Sequence, residues 1–375
     1  MEEGIVARKL KVLYVSAEIE PYARTGGLGD VSAAYPKALS GENVSVIRVM
    51  PLYRCVNRKV KYKLDFPVPM GGSYQTCIVK ADHSDRSLPT YFIGNDYYYN
   101  KDRIYGYYED GERFLFFCKA VVELLQHISF QPNIIHCNDW HSGFIPMLLK
   151  AQGSNAKTIY NIHNLSYTGY IGADYLWEVP MTSEMLHSLG YPDLLNFTKA
   201  GLLYSDAITT VSQQYAKDIT TSVFGEGYDD ILRERIGSIH GIHNGIDIET
   251  YNPENASIPF DLNQLSGKEE NKKLLLHELG FASEDQEDMP LLSVISRLDD
   301  QKGIDLIINM IRKTDLEGYQ LVILGTGSRK YEKELVGLAE RYAERMKVII
   351  AFDGELAKRI YAGSDIFLMP SRFEP

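Results

Sequence analysis

Cysteine is scarce and scattered: Cys55, Cys77, Cys118 and Cys137 are the four in the chain. No C-x-x-C pair occurs, so zinc ribbons and dithiol redox motifs are excluded, and the wide spacing argues against a disulfide framework. A reducing compartment fits best. No apolar run reaches the roughly 18 residues of a membrane span. The N-terminal MEEGIVARKLK, acidic and then basic, lacks the apolar core of a secretory signal. The expected address is the cytoplasm, or a plastid for a processed plant precursor. Positive charge is in deficit, with 39 Lys+Arg against 50 Asp+Glu and a net charge of −11. Nucleic acid is therefore not an expected partner. Missing too are G-x-G-x-x-G, a Walker loop and any Asp-x-Asp tripeptide, so neither a hydride-transfer fingerprint nor a metal-bridged diphosphate site has an obvious ligand set.

What is present is ordinary globular composition, 45% hydrophobic and 24% charged over 375 residues. That length is about two and a half times a ~150-residue domain, so two domains are expected. Short β-rich runs alternate with helical patterns, the signature of βα units and a parallel sheet covered on both faces. Lys11–Ser16 reads as a buried strand, Thr25–Asp30 as a glycine-rich loop, Val31–Leu39 as a helix and Val44–Met50 as the next strand. From Val60 to Gly94 the runs alternate in period two and read as antiparallel strands or a hairpin insertion. Glu112–His127 has helical spacing. The strands Ile134–Cys137 and Thr158–Ile162 each deliver histidines at their C-terminal ends, the edge where open parallel sheets place ligands.

Composition shifts between Pro253 and Asp288, through a charged helix GKEENKKLLLHELG and then SEDQED. This stretch reads as an interdomain connection. A second strand-helix series follows: Leu291–Ser296, Gly303–Arg312, Gln320–Leu324, a turn at Gly325–Ser328, Tyr331–Tyr342, Lys347–Phe352, Glu355–Gly363 and Ile366–Pro370. The expected division is 9–252 for an N-terminal Rossmann-like domain, 253–288 for the connection and 289–375 for a second Rossmann-like domain. The second sheet would have only about four strands, low in the usual range.

Four places could carry chemistry. The turn Ala23–Val31 (ARTGGLGDV) sits between strand and helix, where bare amides and a helix N-terminus could receive an anion; read alone, it is equally a tight turn. Ser296–Gly303 (SRLDDQKG) presents Arg297 and Lys302 after a strand. Two cations there could hold a nucleotide diphosphate and the charge that builds as it leaves, although such a pair taken alone reads more often as solvated surface charge. Asp139 and His163, with Trp140, His141 and Asn164 beside them, suit recognition of sugar hydroxyls, an aromatic ring being at hand to stack on a pyranose. His136 and His141 flank a loop rather than one helix face, so a metal site is not expected, and His136 reads as structural. Glu374, after PSRF, could bind hydroxyls or support a developing positive charge. The tyrosine-rich Tyr97–Tyr108 reads either as a glycan-stacking loop or as a packed surface loop.

Taken in order, KVLYVSAEIEPYARTGGLGDV, YGYYEDGERFLFF, IIHCNDWHSGFIPMLL, YNIHNLSYTGYI, FTKAGLLYSDAITTVS, GIHNGID, SVISRLDDQKGIDLI and AGSDIFLMPSRFEP resemble the blocks of the bacterial glycogen synthase and plant starch synthase family of retaining glucosyltransferases. The resemblance runs through almost the whole chain. It implies an α/β GT-B architecture, two Rossmann-like domains facing a cleft, and glucose transfer from ADP-glucose to an α-1,4-glucan with no cofactor or metal.

By the same resemblance, Arg297 and Lys302 would contact the donor diphosphate, Gly26, Gly27, Gly325 and Gly327 would lie near the phosphates, and Asp139 and His163 would hold the donor glucose. Asn244 would line the cleft, Glu374 would sit near the donor, and Tyr361 would touch the adenine. Arg24 and Asp30 complete the expected binding set. Arg24 stands where the family usually has lysine, keeping the charge on a forked rather than compact head. Family members continue past SRFEP by another strand-helix set and a closing helix, so the second domain is expected to be incomplete and the activity of the chain lowered. The alternatives are a noncatalytic glucan-binding relative and a UDP-glucose-dependent GT-B transferase.

Overall fold

The computed structural model describes residues 9–176, 179, 181–281 and 288–375. The first eight residues of MEEGIVARKLK and most of SEDQED, both read above, lie outside them. The chain divides into two compact units, the first ending at Ile246 and the second spanning Asp247–Glu374.

The first unit is built on strands β1 (Leu10–Val15), β2 (Val44–Pro51), β3 (Lys61–Met70), β4 (Ser73–Asp82), β5 (Thr90–Gly94), β6 (Ile134–Asn138), β7 (Lys157–Ile162), β8 (Tyr170–Ile171), β9 (Leu195–Asn196), β10 (Ala207–Thr210) and β11 (Ile239–Gly241). Strands β8 and β9 pair by themselves, and the other nine form one sheet in the order β11-β10-β7-β6-β1-β2-β5-β4-β3. Strands β1, β2, β6 and β5 are near-continuous apolar runs buried along most of their length, as strands covered on both faces must be.

The alternating stretch from Val60 to Gly94 does form a hairpin, with β3 antiparallel to β4 and β4 antiparallel to β5. Its last strand then returns to the parallel core, because β5 pairs parallel to β2. The helix Asp110–His127 buries its apolar positions, among them Phe114, Phe116, Phe117 and Leu124, in the core of this unit.

The second unit carries β12 (Leu291–Ile295), β13 (Gln320–Leu324), β14 (Met346–Ile349) and β15 (Ile366–Phe367), all parallel, in the order β14-β13-β12-β15. One face is covered by a core that includes Ile304, Ile308, Leu335 and Leu338, and the other by Leu275, Leu276, Leu356 and Ile360. The charged helix read as part of a connection, Ser266–Glu278, therefore belongs to this unit's core through Leu275 and Leu276. The final strand is shorter than the apolar run suggests, two residues rather than five.

Strand order places the sites. From β1 the chain moves to β2 on one side, while β6 and β7 lie on the other; from β12 it moves to β13 on one side, while β15 lies on the other. The crevice outside the carboxyl ends of β1 and β6, and that outside β12 and β15, are the topological switch points where open α/β sheets receive ligands.

Candidate active site

At the first switch point the glycine turn after β1 is organised by a residue that sequence reading passed over. Glu18 is buried at the end of the strand, and its carboxylate accepts from Thr25 N (2.5 Å), Thr25 Oγ1 (2.7 Å), Gly26 N (3.3 Å) and Tyr105 OH (2.8 Å). The Gly26 amide, expected to face an incoming anion, thus points inward to Glu18. The helix begins at Gly27, four residues before the expected start, with no side chain capping it. A Cβ at Gly26 or Gly27 would meet open space, so nothing in the protein itself demands glycine there. Arg24 and Asp30 bind each other at 2.9 Å. Burial pushes the Asp30 carboxyl up to about 6, against the pull of Arg24. The clue available in the sequence was a carboxylate directly after an apolar strand and before the turn.

Asp139 follows β6 with its backbone at φ 54° and ψ −179°, a region that costs a non-glycine residue about 1–3 kcal/mol and clusters at functional sites. Its carboxylate accepts the backbone amide of His163 at 2.7 Å and that of Asn164, yet burial pushes it up to about 7. The structure thus joins Asp139 and His163 across adjacent strand ends. The His163 ring is half-buried, and burial pulls it down to about 4, so it is neutral at physiological pH. His163 Nε2 lies 2.8 Å from Asn161 Nδ2 and 3.0 Å from Asn138 Oδ1.

Trp140 does not offer a stacking face. It is buried, edge-on to Phe114 and Phe197, because the short helical turn after Asp139 directs it into the core. His136 is buried and stacked on Tyr14 at 5.0 Å, as a structural histidine should be. The tyrosine loop is split: Tyr98 and Tyr99 are core, Tyr105 holds Glu18, and Tyr97 and Tyr108 are exposed. Asn244 lies in an exposed segment beyond β11.

At the second switch point the loop after β12 carries Arg297, Asp299, Gln301 and Lys302. Arg297 is exposed, pairs with Asp299 at 3.2 Å and donates to Gln301 Oε1 at 3.0 Å. Lys302 Nζ binds Glu374, whose segment leaves β15 and is held by Arg372 N donating to Gln301 O at 2.8 Å. Gly303, at φ +66, makes this approach possible, since a Cβ there would sit 2.2 Å from Pro370 O.

The turn after β13 is fastened to the same loop: Leu298 N donates to Thr326 O at 2.9 Å and Ser328 N to Leu298 O at 2.8 Å. A Cβ on Gly325 would fall 1.9 Å from Ser296 O, so this glycine serves backbone packing. Its amide goes to Ile349 O and that of Gly327 to Glu332. Both amides are therefore spent within the unit rather than offered to phosphate. Tyr361 does not join this group. It lies late in the helix Gly354–Gly363, which returns to the opposite edge of the sheet, where Asp365 N meets Leu291 O at the start of β12; its ring packs against Phe367 and Tyr251.

The family model for the starch synthase catalytic domain matches residues 11–234, and that for group 1 glycosyl transferases matches 278–375. The chain is 40% identical over 381 residues to a glycogen synthase of Moorella thermoacetica, covering 98% of this chain and 77% of that one. It belongs to the glycogen and starch synthase family. A Clostridium perfringens glycogen synthase is 41% identical over 385 residues, 98% of this chain and 79% of that one. The catalytic domain of starch synthase IV from Arabidopsis thaliana, bound to ADP and acarbose, superimposes with a TM-score of 0.90 at 30% identity, covering 98% of this chain and 79% of that one. As a glycogen and starch synthase family member the chain is a glycosyltransferase of the GT-B fold, acting in α-glucan synthesis. No helix among the described residues is long and apolar enough to cross a membrane.

Proposed function

We propose that this protein transfers glucose from ADP-glucose to the non-reducing end of an α-1,4-glucan with retention of configuration, in the cytoplasm and with no cofactor beyond the donor. One observation carries the reading: Arg297, Lys302 and Glu374 converge at the switch point of the second unit, in a chain similar to a synthase bound to ADP. In this reading the bond between glucose C1 and the diphosphate oxygen breaks, and its electron pair leaves with ADP. The acceptor hydroxyl bonds to C1 from the same face, and its proton passes to the departing oxygen. Negative charge on the diphosphate is then larger in the transition state than in the ground state, so Arg297 and Lys302 stabilise the former more. Glu374 holds Lys302 in place until the donor arrives and then faces the sugar. Asp139 and His163 bind hydroxyls of the donor glucose, and Arg24, Asp30, Gly26 and Gly27 shape the turn beside them.

The test is incorporation of labelled glucose into glycogen by the 375-residue chain, with ADP-glucose and UDP-glucose in parallel. Incorporation from ADP-glucose is expected. Preference for UDP-glucose would overturn the donor assignment, and glycogen binding with no incorporation from either donor would overturn the transferase.

A further inference from the structure

We propose that Glu226 is a contact for the acceptor glucan, its carboxylate receiving hydroxyls of the sugar that lies next to the donor glucose. This contact presupposes the proposed glucosyl transfer, which puts the donor glucose at Asp139 and His163. What sets Glu226 apart is that the fold holds it at a cost and has little structural use for it.

The Glu226 backbone stands at φ 50°, in the left-handed region that disfavours any residue with a Cβ. Glycine would sit there more cheaply, and glycines do flank it, Gly227 itself being at φ 79°. The turn is nevertheless firmly held. Gly225 N donates to Thr221 O at 2.8 Å, Tyr228 N to Gly225 O at 2.7 Å, and the buried Tyr228 hydroxyl accepts from Asn196 Nδ2 at 2.8 Å. A Cβ on Gly225 would fall 2.5 Å from Asp229 Cβ and 2.7 Å from Thr221 O, so the chain is tightly packed just before Glu226.

From this turn Glu226, itself exposed, reaches across to the loop after β7, where its Oε1 accepts from Ser166 Oγ at 2.9 Å. The backbone of that loop is already fixed by others. Asp139 receives the amides of His163 and Asn164, the Tyr215 hydroxyl receives Leu165 N at 3.0 Å, and Asn164 Oδ1 receives Ser166 N at 3.0 Å. The bond from Glu226 is therefore not what shapes the loop. It places a carboxylate against a residue three positions beyond His163, with Tyr167, 50% exposed, next in the chain.

Among the described residues the Glu226 carboxylate makes this one hydrogen bond and no ion pair. A carboxylate without a cation repels a diphosphate but accepts strong hydrogen bonds from a neutral, hydroxyl-rich ligand. The glucan is such a ligand. Its attacking hydroxyl must reach C1 of the donor glucose, which brings the acceptor's first sugar against the loop that carries His163.

The test is Glu226→Gly in the 375-residue chain, because it removes the carboxylate and the backbone penalty together. The urea midpoint should hold or rise. Maltoheptaose, titrated without donor, should bind about tenfold more weakly, and its KM with ADP-glucose should rise alongside while the donor KM stays. Unchanged maltoheptaose affinity with a lower urea midpoint would make Glu226 a structural residue and overturn the proposal. A raised donor KM with unchanged maltoheptaose affinity would make it a prop for His163 and overturn the proposal too. Glu226→Gln keeps the size and an acceptor for Ser166 but not the charge; it should weaken maltoheptaose by a smaller factor with the urea midpoint unmoved, and full affinity in both variants is a refutation. Since the titration uses no donor, weakened binding in a chain that incorporates no glucose would sink the transfer and leave the glucan contact standing, and incorporation with unaltered affinity would do the reverse.

Discussion

Lys302 is only 19% exposed at its side chain and is held by Glu374, which fixes its charge in place, as the proposed stabilisation of a leaving diphosphate requires. Lys302→Ala should lower kcat by about 10²–10³-fold while circular dichroism and Tm stay near those of the parent; near-normal turnover would remove it from the mechanism. Asp139 makes a prediction of another kind. Its folded carboxyl is pushed up to about 7 from an ordinary 3.8, so the native state holds a proton that the unfolded chain has already lost between those values. The stability contributed by that proton is complete below pH 3.8 and falls away as pH rises to about 7. Asp139→Asn should flatten the stability profile between pH 5 and 7 by at most about 1.4 kcal/mol per pH unit, measured by urea unfolding, and should lower activity. An unchanged profile would show that Asp139 is ionised throughout. The charged groups themselves were legible in SRLDDQKG, HCNDWHSG and SRFEP. Glu18 and Asn138 were not, because each acts by hydrogen bonds made inside the fold.

At the level of the element, glycines that look alike in sequence separate into two kinds. Gly27 opens a helix into free space, whereas Gly325 lies under the Ser296 carbonyl. Gly27→Ala should leave stability within about 0.5 kcal/mol and act on the donor KM alone. Gly325→Ala should destabilise by about 1–3 kcal/mol through overpacking. Paired denaturation curves and kinetics check both, and equal destabilisation would mean that the first turn is also a packing device. The hairpin β3–β4 shows the limit of periodicity: alternation reveals two antiparallel strands but is silent on β5, whose parallel pairing with β2 is a choice of neighbour.

On the scale of the whole molecule, the main core of the first unit uses residues 13–239, and the two cores of the second use residues 275–360 and 292–368. Residues 9–246 and 247–375 expressed separately should therefore each unfold cooperatively in urea, and under the proposed transfer neither should incorporate glucose, since the residues proposed for the diphosphate lie in the second unit and those proposed for the donor glucose in the first. Transfer by either half alone would refute the division of labour. The order of strands and helices, the family, and the charged residues at strand ends were determined by the sequence, because periodicity, turn residues and ordered motifs are local properties. Only the tertiary structure decided that Glu18 binds the glycine turn, that Trp140 is core, that Tyr361 faces the wrong edge, and that Asn138 meets both Tyr14 and His163. Those outcomes depend on strand order and sheet edge, set by pairings such as Tyr14 with Asn138, which lie 124 residues apart in the chain.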